Sequence, residues 1–178
     1  MNMTIKEMKP HLRTFAKEIK GASSSVQDVQ HLPDVRAIVN ACYQNVDDKV
    51  AREGGSAQYG WHFSHKFAPD ISEVGYLVAT NHAVWRSPLG KLIDITPFHP
   101  DQSLRPLNLE GKVLFLADNK AEPARFEAYP LPHPMKYYAL NSGKKLKAYV
   151  EELTQKEEAA CAEYNKELIE QITEQKRT

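Results

Sequence analysis

Residues 75–86, GYLVATNHAVWR, are followed by SPLG and then by KLIDIT. β-Branched and aromatic side chains fill both runs, and Pro88 and Gly90 turn the chain between them. Two such runs joined by a short turn read as antiparallel strands. SAQYGWHF and KVLFLAD carry the same signal. Strands are therefore expected over 57–63, 74–86, 91–96 and 112–117. One alternation phase holds Trp85, Ile93 and Ile95, which should be buried together.

Helical spacing frames this sheet. Ile5, Met8, Leu12, Phe15 and Ile19 recur at three and four, predicting a helix over 3–20 that bends or splits at Pro10 and ends at Gly21. SSSVQDVQHLP reads as a loop. Val35, Val39, Cys42, Val46 and Val50 then share one face of a helix over 33–53, stopped by Gly54-Gly55. Residues 64–72, with Pro69 and Asp70, form a connection. Residues 98–111 are irregular, and 118–135 is a Pro-punctuated loop whose LPHPM segment packs over the surface. The end reads as one charged helix over 144–176 with a largely solvated middle. The fold class is α+β: an antiparallel sheet, a Cys-bearing helix packed across it and a long C-terminal helix. The corresponding division is 1–32, an N-terminal helix and linker; 33–140, the core; and 141–178, the C-terminal helix.

Composition removes several function classes. Among 178 residues, 23 Lys plus Arg balance 23 Asp plus Glu. That balance lacks the basic excess of a phosphate-backbone binder, so no nucleic-acid partner is expected. No apolar run approaches the ~20 residues of a membrane helix. The charged N-terminal segment lacks a secretory h-region, which makes the cytoplasm the expected compartment. The two cysteines, Cys42 and Cys161, form neither a disulfide framework nor a CxxC zinc pair.

Chemistry concentrates in the hairpin. His82, Val84 and Arg86 share one strand face; Leu92, Asp94 and Thr96 share one on the next. An odd number of unpaired residues between the strands sets His82 opposite or diagonal to Asp94, within reach of a hydrogen bond. An even number puts them on opposite faces. A cysteine beside such a pair has a clear logic. The imidazolium favours the thiolate, the ring returns the proton to a leaving group, and the carboxylate fixes the ring's tautomer.

HAVWRSPLGKLIDITP resembles the His–Asp hairpin of transglutaminase-like proteins, a branch of the papain-like cysteine-hydrolase superfamily. His82, Trp85, Gly90, Asp94 and Thr96 match that outline, with Ile95 in place of the common proline and Trp85 displaced by one residue. Upstream, CYQNVDDKVAREGGSAQYGW is similar to the family's Cys helix, glycine and following strand. The resemblance covers about residues 40–97. It implies a papain-like core with Cys42 as nucleophile, His82 as base and Asp94 as orienting acid. A thioester intermediate, a peptide or amide substrate and no cofactor go with it, in a bacterial or phage branch. Tyr59, Trp61, Asn45 and Trp85 are the expected pocket residues. In papain-like enzymes the cysteine opens its helix, whereas a helix starting at Pro33-Asp34 places Cys42 in the third turn.

Other readings stand beside this one. Cys42 on a valine stripe is equally a buried core thiol, and the two tryptophans suit a core as well as a pocket wall. The chain would then be a non-catalytic partner-binding module of the same fold. His62 and His65 make an HxxH pair without an acidic ligand set, a weak metal signal. Cys161, in a charged helix without an adjacent histidine, reads as inert. The C-terminal helix is where a second copy of the chain would pair to form a homodimer.

Overall fold

The computed structural model describes residues 3–68 and 70–177; Pro69, expected in a loop, lies outside them. The first helix, α1 (Ile5–Lys20), is capped by Thr4, whose hydroxyl accepts from the Glu7 amide while Glu7 reaches back to the Thr4 amide. It runs on through Pro10 without splitting. Its buried stripe, Met8, Leu12, Phe15 and Ala16, holds the turns on either side against the sheet.

The sheet is built from β1 (Val26–His31), β2 (Ser56–Ala68), β3 (Ser72–Arg86), β4 (Leu92–Asp94), β5 (Asn108–Leu109), β6 (Lys112–Ala117) and β9 (Lys136–Ala139). β2 and β3 form a long antiparallel hairpin, from Ser56 opposite Arg86 to Ala68 opposite Ser72. β4 returns against β3 with Trp85 opposite Ile93. β1 then pairs with β4 on one side and with β6 on the other. β6 pairs in turn with β2. These five strands, β1-β4-β3-β2-β6, close into a ring. β5 hangs on β6 and β9 on β3.

Closure needs a close approach at Gly60. A Cβ there would lie 2.1 Å from the Leu116 carbonyl oxygen and 2.6 Å from the Phe115 ring. The missing side chain lets Phe115 turn inward with Val29, Val84 and Val113 to plug one end of the barrel. Outside, α1 covers Trp61, Phe63, Leu77, Leu114 and Leu116. The second helix, α2 (Cys42–Glu53), lays Val46 on Ala83, Trp85 and Ile95, with Ile93 half-buried alongside. Trp85, Ile93 and Ile95 do pack together, as their shared phase requires.

The mixed α+β class holds, with departures from the sequence expectations, among them β5 and a 3-10 turn (Gln102–Leu104) within the 98–111 segment expected to be irregular. Residues expected as a loop after Gly21 form β1, which is parallel to β4, so the sheet is mixed rather than antiparallel. The helix expected from 33 begins at Cys42. The 64–72 connection is the far end of the β2–β3 hairpin. The Pro-punctuated loop contains a short hairpin, β7 (Ala124–Phe126) with β8 (Tyr129–Leu131), and leads into β9.

The last helix, α3 (Lys144–Gln175), buries Leu146, Val150 and Ile172 and keeps a mostly exposed middle. Its half-buried edge follows the LPHPM segment. Cys161 Sγ and Asn165 Nδ2 donate to the Pro132 carbonyl at 3.2 and 3.1 Å. Glu157 accepts from the Met135 amide at 3.1 Å and the Tyr137 hydroxyl at 3.3 Å. Among the described residues no helix is long and apolar enough to cross a membrane.

Candidate functional site

The late start of α2 sets the site. Asp34 accepts from the Arg36 amide at 2.9 Å and pairs with Lys49 and Arg52 on the helix behind it. Asn40 takes a left-handed conformation, φ 63°, which Asn tolerates better than most residues. Asn45 accepts from the Ile38 amide and donates to the Ile38 carbonyl, both at 2.8 Å. These ties fold residues 34–41 into turns, so the valine stripe is not a helical face. Val35 is fully exposed, whereas Cys42 is 9% exposed. Cys42 therefore stands at the first position of α2, among amides without intrahelical partners and at the positive end of the macrodipole.

The turn resolves the register. Five residues, 87–91, separate paired Arg86 and Leu92, so His82 and Asp94 share the inner face and lie diagonally. His82 Nε2 donates to Asp94 Oδ1 at 3.1 Å, and both residues are buried. The Thr96 amide donates to the same Asp94 oxygen at 3.1 Å, while the Thr96 hydroxyl accepts from Asn45 at 3.2 Å. Asn45 thus links the start of the Cys42 helix to the carboxylate strand. With Nε2 engaged by Asp94, Nδ1 is the ring nitrogen that remains, and Cys42 lines the same cavity as the ring.

Electrostatics follow from burial and pairing. Burial alone would lower the His82 pKa, but the Asp94 carboxylate and the Cys42 sulfur raise it well above the usual imidazole value. Burial would raise Asp94; the His82 charge and the hydrogen bonds from His82 and Thr96 hold it below the ordinary carboxylate range. His62 stacks on His82 with ring centroids 4.6 Å apart. Its burial and the charge on His82 push its pKa down to about 3. His62 Nδ1 is buried without a hydrogen-bond partner among the described residues.

Cys42, His82 and Asp94 line one cavity of about 500 Å³ at the open end of the barrel. The four expected pocket residues lie elsewhere. Trp61 is 4% exposed under α1 and donates from Nε1 to Asp118 at 3.2 Å. Trp85 packs under α2 and donates to the Gly54 carbonyl at 2.9 Å. Tyr59 is wedged against Tyr43, and Asn45 is the clamp described above. Alternation explains the two aromatics on β2: odd positions there face outward, even positions inward.

The inward positions His62 and Ser64 of β2, and Val78 and Thr80 of β3, form the cavity floor instead. Alternation alone carries that information once β2 and β3 are in register. Phe98, Leu104, Tyr137 and Leu153 come from distant segments and leave no local signal. His31 holds the first of them, stacking on Phe98 at 3.7 Å and bonding through Nε2 to the Thr96 carbonyl at 2.8 Å. His62 and His65 point to opposite faces, His65 bonding to the Val74 carbonyl at 2.7 Å. Among the described residues no group of three His, Cys, Asp or Glu side chains could hold a metal ion. No protein-family model, curated protein or solved structure matches the chain.

Proposed function

We propose that this chain is a thiol-dependent hydrolase or acyl/amide transferase of the papain-like, transglutaminase-like kind. The observation that carries the reading is Cys42 at the start of α2, in one cavity with a buried His82–Asp94 pair. The Cys42 sulfur attacks the carbonyl carbon of an amide or ester, and His82 takes the thiol proton. Collapse of the tetrahedral intermediate breaks the bond to the leaving amine or alcohol, which receives that proton from His82. The resulting thioester passes its acyl group to water or to a second amine, restoring the thiol. Asp94 keeps the ring oriented and supports the imidazolium. The unpaired amides at the start of α2 are donors for the developing oxyanion.

Iodoacetamide labelling at neutral pH, read by peptide mass, tests this reading. Cys42 should react faster than Cys161, which serves as the internal reference, and His82→Ala should slow Cys42 by about tenfold or more. With p-nitrophenyl acetate, one acetyl group should appear on Cys42 and on no residue of Cys42→Ser. A Cys42 that reacts slowly, equally with and without His82, would return the chain to the non-catalytic, partner-binding reading.

A further inference from the structure

The cavity does not end at the triad. It follows the inner face of β3 from His82 through Thr80 and Val78 to Tyr76. The six steps from residue 82 to residue 76 make this a run of about 20 Å. Phe98, Leu104 and Pro106 wall one side; Met135, Tyr137 and Leu153 wall the other. Among the described lining residues the charged side chains other than histidine are Asp94 and Lys66. Asp94 is taken by His82 and Thr96, and the Lys66 ammonium donates to the Ser103 carbonyl. Tyr137 turns its hydroxyl to Glu157 on α3, leaving its ring for the groove. Leu104 stands 54% exposed at the rim. The groove is therefore a predominantly apolar channel with the Ser64 and Thr80 hydroxyls on its floor, and its lysine, Lys66, stands opposite Tyr76 at the end away from the triad.

We propose that this groove is an acyl-chain subsite, and that Cys42 receives an uncharged, extended, predominantly apolar acyl group supplied as an amide or ester. The inference rests on Cys42 as the acyl acceptor. The volume suits a small organic group rather than a folded partner. The groove is also continuous with the sulfur, so a chain attached there lies along β3.

The test is protection of Cys42 in the full chain from iodoacetamide by N-acetyl-, N-hexanoyl-, N-decanoyl- and N-succinyl-glycinamide. Half-protection should need at least about tenfold less of the decanoyl than of the hexanoyl compound, because each of the added methylenes gains affinity when buried. The succinyl compound, with its carboxylate, should protect no better than the acetyl one. Leu153→Glu, on a half-buried face of α3, should erase the chain-length preference; circular dichroism checks that its fold is kept. Equal protection along the series, preference for the succinyl compound or no protection at all would each overturn the acyl-chain subsite. Chain-length-dependent protection without acetylation of Cys42 would retain the groove as a ligand site and sink the catalytic reading alone.

Discussion

His62 and His82 stack on each other yet titrate in opposite directions. The unfolded chain protonates a histidine near pH 6.5, whereas folded His62 does so only near pH 3. Between those values the unfolded state binds the extra proton, so His62 makes stability fall as pH falls. His62→Phe should remove one proton's worth of that slope, read from urea midpoints at stepped pH in both proteins. His82 has the opposite sign. Its contribution is complete below about pH 6.5 and is lost as pH rises through its elevated folded pKa. Asp94→Asn removes the charge that opposes burial, so the His82 titration followed by NMR should move down. Acylation of Cys42 should fall with it. Cys42→Ser is a small change at the cavity edge and should move Tm by less than about 4 °C while abolishing thioester formation.

At the scale of the element, the start of α2 is set by the Asp34 and Asn45 side chains and by the left-handed backbone at Asn40. Asn45→Ala frees the Ile38 amide and carbonyl and should cost about 1–2 kcal/mol in chemical denaturation. It should also slow Cys42 alkylation, an effect that loss of stability alone does not produce in a protein still folded. Gly60→Ala should cost about 1–3 kcal/mol or more, since β2 and β6 must part to admit the methyl group. The His–Asp hairpin was legible because its residues alternate and its turn is local. The helix start was not, since Val35, Val39, Cys42 and Val46 satisfy helical spacing although Val35 lies in solvent. What overrides the spacing is the Asn45 clamp together with the backbone at Asn40, neither of which has a periodic signature. β1 has no alternating signature because Val29 is its one buried side chain, and its place is set by backbone pairing to β4 and β6. The cavity floor was present in the alternation of β2 and β3; its walls depend on where residues 98–106 and α3 come to rest.

Over the whole molecule, α3 ties the LPHPM segment to the groove by bonding Pro132 and contributing Leu153. Pairing of two copies through this helix remains a proposal. It would appear as a sedimentation coefficient that rises with protein concentration, with slow hydrogen exchange in the otherwise solvated middle of α3; a constant value would sink it. The ring of strands bears on the order in which the chain matures. β1 precedes Cys42 in the chain, yet its two partners, β4 and β6, are made after it. Such distant pairings are entropically slow to form, so a nascent chain holds Cys42 on a segment anchored only once β4 and β6 have emerged. His82 and Asp94 also follow Cys42 in the chain. The residues of the proposed site are therefore brought together by strands made after Cys42, so the cavity belongs to the finished barrel and not to any one stretch of chain.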